Sequence, residues 1–589
     1  MCGIVGAIGN YDRRFNRIGL DGILHRGPDN NDIYEEKNLF LGHTRLSIID
    51  IEGGRQPMMF SGHILVYNGE LYNFNDLRNR LELKGIKFET NSDTEVILKA
   101  YLTYGISAFS LFDGMFALAI YNTKTKRLLV ARDPLGQKPL YWFMDHEKFL
   151  FSSDIRSLKE YANGIDQEAV KLLLNLSYIP APFAIYSNIS KVNPGEIIEI
   201  DFDQSKGIRH KKSVFRFDMV TKRKLSNHWE KVLVSDVPVA LSLSGGIDSS
   251  LVLAIDRCYS NSISATFTLN SKFNEKSLQT ESLIANKFAS RHKTIHTQVE
   301  LDASAINEYF AVFSEPFGDS SAFALHNIAL GVKGRYKVLM GGDAADELFA
   351  GYRKHLALRF FILTKRLGVN KILSRIVGGK FEQLMSSDNT LDGYLSLLEM
   401  GLEENEVRLL INSPKYSLKD TLNKRIPLMK KKEKFKFSDS LYLDRRIVLE
   451  GDMFVKTDRV LMHHGIEGRT PFGTPWVERY AQNKRFFLAL MPFVRKPFLK
   501  FLSIFFLPPY ILFKRKTGFE IPIVSLVEQL LSKKNYLRII SESELGELLN
   551  TEAIASLLNT FESNKTKTNA RKIWIIISLI EWDTKYGFN

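Results

Sequence analysis

Cysteine is almost missing, since Cys2 and Cys258 are the two in 589 residues. A disulfide scaffold is thereby excluded, and a reducing, cytoplasmic setting is the expectation. Long hydrophobic runs are missing as well. The longest charge-free apolar stretch of the C-terminal part, Phe501 to Phe513, falls short of the roughly 17–25 residues of a membrane helix. It also contains Pro508 and Pro509, and it reads as core. The opening MCGIVGAIGNYDRR has neither the basic nor the sustained apolar segment of a secretory signal, so the mature chain is expected to begin at or next to Met1. Internal repeats and low-complexity tracts are absent.

What is present suffices for several cores. At roughly 100–200 residues per domain, a chain of 589 predicts more than one. With 44% hydrophobic and 12% aromatic residues, it is too apolar to be disordered. Lys and Arg number 80 against 66 Asp and Glu, a net +14. Such a surplus attracts nucleic acid, acidic head groups or anionic metabolites without specifying a fold.

Up to about residue 200 the chain reads as short strand-like runs between turn signals: CGIVGAIG, LGHTRLSIID, HILVYNGELYN, GMFALAIYN, KRLLVARD, FLFSSD and GEIIEIDFD. NDLRNRLELKGIKF and SDTEVILKAYLTYG have helical spacing instead, which predicts an α+β domain over 1–204. The basic stretch 205–225 is a candidate linker. Beyond it VPVALSLSGGIDSSLVLAID reads as strand, glycine turn and helix, and ISATFTL and YKVLMGG as further strands. Strands alternating with helices predict an open parallel α/β sheet within a second domain, 226–589, that turns mostly helical from about 355.

Cys2 is the first candidate for chemistry. Removal of Met1 would leave a thiol and an α-amine on one residue, and an amine of pKa about 7.7–8.0 is a base for its own thiol. On position alone, a buried structural cysteine in a first strand is the commoner reading. Gly3, Gly6 and Gly9 mimic a dinucleotide fingerprint, but that motif follows a strand and none precedes it here. SGGIDSS, Ser244 to Ser250, is a second candidate: its glycines let backbone curl round phosphate, and the helix that follows offers free N–H groups. It lacks the lysine of phosphoryl-transfer loops.

The company of Cys2 is specific. HRGPD (25–29), HTRLSIID (43–50), NGELYN (68–73), SDTE (92–95) and RDPLGQKPLY (132–141) follow in order. As a set they resemble the class-II glutamine amidotransferase domain, whose fold is the αββα N-terminal-nucleophile arrangement. The resemblance implies Cys2 as nucleophile, Asn68 and Gly69 as oxyanion donors, and Arg45, Ile48, Asn68, Glu70 and Asp93 as glutamine contacts. Arg45 would pair with the α-carboxylate, and Glu70 and Asp93 with the α-ammonium. SGGIDSS is similar to the PP-loop of ATP pyrophosphatases. With SEPFGDSSA (314–322), GGDAADELFAGY (341–352), KTDRVLMHHGIEGRTPF (456–472) and KRKTGFEIP (514–522), it resembles the synthetase half of glutamine-hydrolysing asparagine synthetases, an α/β PP-loop domain with a helical C-terminal part.

That resemblance implies ATP contacts at Ser242, Leu243, Ser244, Gly245, Gly246, Asp248, Ser249, Leu269, Gly341 and Gly342. It implies Mg²⁺ on Asp248 and Asp343, and Asp343 and Lys496 acting in the synthetase transition state. Cys258 is expected to be a packed apolar residue. The chain departs from the family at Gly341 and Ala344, where Ser and Gly are common, and at Gly473, Thr474 and Pro134. The implied reaction is glutamine-dependent amidation of a carboxylate through an acyl-adenylate, with aspartate as default acceptor. A sugar uronate or a specialised metabolite is the alternative acceptor. A glutamine sensor and a simple amidase are weaker readings, because SGGIDSS and Asp343 are in place. No nucleic-acid module is recognisable. A homodimer and an acidic partner surface, including a membrane face, are compatible with the family and the charge.

Overall fold

The computed structural model describes residues 2–203, 205–218, 225–271, 276–374, 379–426, 428, 435–491, 493–514 and 521–588. Most of the KRKTGFEIP motif, residues 515–520, lies outside them. The first half supplies strands β1 (Gly3–Gly9), β2 (Asn30–Glu36), β3 (Leu39–Arg45), β4 (Met58–Phe60), β5 (His63–Leu71) and β6 (Gly114–Asn122). After these come β7 (Arg127–Arg132), β8 (Tyr141–Met144), β9 (Lys148–Ser152), β10 (Ile189–Lys191), β11 (Glu196–Asp203) and β12 (Gly207–Val214). They form two antiparallel six-stranded sheets, ordered β10-β8-β9-β1-β3-β2 and β12-β11-β7-β6-β5-β4.

The alternation of side chains explains the layers. In β1, Ile4 and Ile8 point between the sheets, meeting Val66, Ala117 and Val130. Val5 and Ala7 point the other way, toward Phe15 and the helix Arg14–Asp21. Both faces of this strand are buried, so its sequence reads as a continuous apolar run rather than an alternation. The second sheet covers its outer face with helices Phe74–Glu82 and Asp93–Tyr104, through Leu77, Leu81, Val96 and Ile97. The result is the αββα sandwich expected.

The second half builds a five-stranded parallel sheet from β13 (Val239–Ser242), β14 (Ile263–Asn270), β15 (Ile295–Glu300), β16 (Val338–Met340) and β17 (Glu467–Arg469), in the order β15-β14-β13-β16-β17. The chain leaves β13 in one direction and later returns on its other side. The crevice beyond the carboxyl ends of β13 and β16 is therefore the switch point where open α/β sheets bind ligands.

Several expectations are corrected. The stretch 205–225 is not all linker, because Gly207–Val214 pairs along β11 from Asp203↔Gly207 to Glu196↔Val214. β17 arises inside the part read as helical: Gly341 N–H donates to the Arg469 carbonyl at 2.9 Å, and β16 fixes the strand by parallel pairing. The run 501–513 is not all core, since Phe501, Ile504, Phe505 and Phe513 are exposed. Short helices, Pro497–Ser503 and Pro509–Leu512, are too brief to bury an all-round apolar surface. Cys258 is exposed, not packed.

The two halves meet through buried charge. Arg26 pairs with Asp458 at 2.9 Å, Arg132 with Glu450 at 3.0 Å and Lys191 with Glu315 at 2.5 Å. Arg459 pairs with Asp154 at 2.6 Å and donates to Tyr141 Oη at 3.0 Å. Burial alone would raise the pKa of Asp154, but Arg156 and Arg459 outweigh it and hold the carboxyl well below the usual range. Its stabilisation is thus present above its unfolded pKa of about 3.9 and is lost as pH falls through the depressed folded value. Asp154→Ala leaves the buried Arg459 guanidinium without its carboxylate and is expected to cost about 3–5 kcal/mol at pH 7. Urea denaturation of the two proteins measures the loss.

Candidate active sites

Cys2 lies at the head of β1, 9% exposed. Its N–H donates to Asn68 Oδ1 at 3.2 Å, and its carbonyl accepts from Arg26 Nε at 3.2 Å. Ser153 Oγ ties the neighbouring strands together, accepting from Ile4 N–H at 3.1 Å and from Asn68 Nδ2 at 3.4 Å. Burial pushes the Cys2 thiol up, Arg45 and the Leu46 N–H pull against that, and Glu467 adds to it. The nucleophile is therefore stored as a thiol and needs a base.

The other expected glutamine contacts gather round it. Arg45 ends β3 and donates to the carbonyls of Asp50 and Ile51, each at 2.7 Å. Its fork is thus held in place by backbone. Asp93 opens a helix capped by Ser92, whose side chain accepts from the Thr94 N–H at 3.1 Å. Its Oδ2 accepts from Leu71 N–H and Tyr67 Oη at 3.0 Å each, and burial raises its pKa. Asn68 and Gly69 sit mid-strand in β5, opposite Ala117 and Phe116. Asn68 presents its oxygen to Cys2, which turns its NH₂ toward the weaker Ser153 contact. Ile48 packs into apolar core with Leu46 and Tyr72.

Glu70 meets a residue of the other half: Arg469 reaches it at 3.2 Å while also pairing with Glu467 at 2.5 Å. Burial raises the Glu70 pKa, Glu467 adds to the rise and Arg469 opposes it. The second half therefore completes the wall of the first site. Sequence reading quoted Arg26, Glu467 and Arg469 inside motifs yet assigned them nothing. Arg26 meets Asp458 and Arg469 meets Glu70 hundreds of residues away, and only buried charge at conspicuous motif positions could have flagged them.

The second site is a cavity of about 890 Å³ at the switch point. Ser242, Ser244, Gly246, Asp248, Ser249, Gly341, Gly342 and Asp343 all line it. Leu243 and Leu269 bury their side chains in the flanking cores. Gly245 forms the turn at φ +65°. The helix Ile247–Tyr259 aims its N-terminus into the cavity, with Asp248 in its first turn. Lys496 is buried, not solvated, and bridges Asp248 at 2.5 Å and Asp346 at 2.9 Å. Burial would lower its pKa, but the two carboxylates raise it above the usual lysine value.

Several further residues line the cavity without a role assigned from sequence. Lys456 pairs with Asp319 at 3.0 Å, donates to Ser321 Oγ at 2.9 Å and lies beside Asp343. Asp343 itself accepts from Thr457 Oγ1 at 3.0 Å. Glu347 accepts from Tyr352 Oη, and burial reinforced by Asp346 pushes its pKa up to about 7. The departure at position 344 has a structural cost, because Ala344 holds φ +72°, a left-handed conformation that favours glycine. Asp248, in the first turn of its helix, and Asp343, after β16, offer hard oxygen donors to one cavity, which suits Mg²⁺.

Residues 1–212 match the model of a glutamine amidotransferase domain, and residues 221–584 match that of asparagine synthase. The chain is 29% identical to asparagine synthetase [glutamine-hydrolyzing] 1 of Bacillus subtilis, with 99% of this chain and 96% of that protein covered. A putative asparagine synthetase [glutamine-hydrolyzing] 2 of Methanocaldococcus jannaschii is 33% identical over 60% of this chain and 76% of its own length. Asparagine synthetase B of Escherichia coli is 29% identical over 60% of this chain and 65% of its own length.

A methyl group at Gly351 would collide with the Asp346 carboxylate and with Lys496 Cε. Gly351→Ala is expected to displace the lysine and weaken Mg-ATP binding on the order of tenfold or more. Titration calorimetry reads the affinity, and an unchanged far-UV circular dichroism spectrum confirms the fold.

Proposed function

Because this chain belongs to the asparagine synthase family, with a glutamine amidotransferase domain ahead of the synthase domain, we propose that it hydrolyses glutamine at Cys2 and spends the ammonia on an ATP-activated carboxylate. Aspartate is the default acceptor. The observation that carries this reading is the sharing of walls. Arg469 of the second half closes the Cys2 site, and Leu176 and Ser177 of the first half line the 890 Å³ cavity.

In the first site the Cys2 thiol loses its proton to the α-amine that Met1 removal would expose, and attacks the amide carbon of glutamine. Arg45 takes the α-carboxylate, and Asp93 and Glu70 the α-ammonium. The Gly69 N–H and Asn68 Nδ2 meet the oxyanion, once Asn68 exchanges its long contact with Ser153 for it. Ammonia leaves, a thioester remains, and water releases glutamate.

In the second site the acceptor carboxylate attacks the α-phosphorus of ATP, and pyrophosphate departs into the cradle of Ser244, Gly246 and the helix N-terminus. Asp248 and Asp343 would hold Mg²⁺, which neutralises phosphate charge when bound. Lys496, already poised between Asp248 and Asp346, and Lys456 add positive charge beside it. Ammonia then adds to the acyl carbon and AMP leaves. Glu347, with a pKa of about 7, is suited to take the proton that the attacking nitrogen must shed. The apolar wall of Leu397, Leu398, Met400 and Ile575 favours a second reading in which the acceptor is bulkier than aspartate.

Two experiments test these roles. Glutamine and Mg-ATP are supplied with a panel of carboxylic acids, and AMP formation identifies the acceptor; inert aspartate overturns the default. Cys2→Ala in that assay is expected to lose glutamine-dependent synthesis and keep the ammonia-dependent reaction, whereas loss of both refutes the division of labour. Separately, Glu347→Gln is expected to slow ammonia-dependent synthesis roughly 10²–10⁴-fold. With the concentration of unprotonated ammonia held constant across the pH series, the parent rate should climb as pH rises through about 7, where Glu347 deprotonates, and the variant should lose the climb.

A further inference from the structure

The charge surplus is concentrated. From Arg479 to Phe519 the sequence holds nine Lys or Arg and no Asp or Glu, a net +9 of the chain's +14. Large apolar side chains on the same segment face solvent: Phe486 is 55% exposed, Leu490 69%, Phe493 62%, Ile504 63%, Phe505 69% and Phe513 85%. Several of them form one surface. The rings of Phe486 and Phe487 lie 4.4 Å apart, those of Phe487 and Phe501 5.4 Å, and those of Phe501 and Phe505 5.6 Å.

A soluble surface scatters such residues singly; a run of them marks a binding face. Among the described residues of the segment, Lys496 pairs with Asp248 and Lys514 with Glu281 at 3.6 Å. The Lys484 ammonium lies over the rings of Tyr480 and Phe498, 5.1 and 5.7 Å from their centroids. Lys500 stands next to Phe501 and is crowded by Arg495 and Lys496. Exposed aromatics ringed by cations match the interfacial zone of an anionic bilayer, where rings sink to the level of the head groups and Lys and Arg meet phosphate and carboxylate. Among the described residues no helix is long and apolar enough to cross a membrane, so the face would lie on a bilayer rather than in it.

We propose that the surface formed by Phe486, Leu490, Phe493, Phe501, Ile504 and Phe505, with Lys484, Arg485, Arg495 and Lys500 at its rim, docks the protein on anionic lipid. Arg495 and Lys500 also line the large cavity, so nucleotide attraction accounts for part of the charge. It does not account for the exposed rings.

The full chain is floated with vesicles of phosphatidylcholine containing about 30% phosphatidylserine, and with pure phosphatidylcholine vesicles, at saturating Mg-ATP and at low and high salt. Binding to the anionic vesicles alone is expected, weakening with salt, because each basic residue near such a surface contributes about fivefold in affinity. The double variant Ile504→Glu, Phe505→Glu is expected to lose at least tenfold while glutaminase turnover stays intact, which shows that it folds. Absence of binding by the parent overturns the proposal, as does a variant that binds equally well. Light scattering covers the other occupant: a parent dimer that the variant dissociates, without vesicle binding, assigns the face to a second copy of the chain.

Discussion

One guanidinium joins the two chemistries. Arg469 ends a strand of the parallel sheet, pairs with Glu467 beside it, reaches Glu70 in the glutamine site and donates to the Val232 and Val234 carbonyls at 3.0 and 2.6 Å. It is 1% exposed. A charge buried so deeply is tolerable only with all its partners in place, and its partners belong to both halves. The relative placement of the two sites is therefore a condition of burying Arg469, not the outcome of a loose docking of two domains. Arg26, Arg132, Lys191 and Arg459 repeat the device along the boundary. Ion pairs of this kind add little net stability compared with apolar packing, but they penalise every misaligned arrangement.

The same logic explains the pattern of pKa shifts. Residues that bridge the halves have carboxylates held ionised by close guanidinium groups, as Asp154 does. Asp93 and Glu347, which face the substrate spaces, have pKa values raised by burial, as does Glu70 in spite of Arg469. The first group is electrostatically complete without ligand. The second has room for an ammonium or a transferable proton.

Much of the αββα layer and the parallel sheet was legible because both rest on local signals. β1, β5, β6, β7, β9 and β11 are contiguous Ile, Val, Phe and Leu runs bounded by turns, and Ser92 announces its helix by capping it. β2 and β12 were not legible, since NNDIYEE and GIRHKKSV carry polar side chains and exist through pairing with β3 and β11. β17 is three residues long and takes its form from β16. At the sites, Cys2, Asn68, Asp93 and Asp248 could be placed from motif order, and Lys496 only from the family resemblance. Glu347 and Lys456 could not be assigned, because their chemistry comes from burial and from the charges the fold sets beside them, Asp346 for Glu347 and Asp319 for Lys456. The error over Phe501–Phe513 has a related cause: hydropathy measures the side chain, not whether the fold offers it a partner.

The basic strand β12 closes one end of the second sheet, with Arg209, His210, Lys211 and Lys212 all exposed. A terminal strand presents unsatisfied backbone donors and acceptors that invite another strand to add on. Exposed Lys and Arg side chains along such an edge, Arg209 and Lys212 paired with Asp201 and Glu196 of β11, hinder a further strand from adding on. Part of the positive surplus therefore acts as a guard against open-ended sheet growth, a task concerned with keeping copies of the protein apart rather than with any ligand.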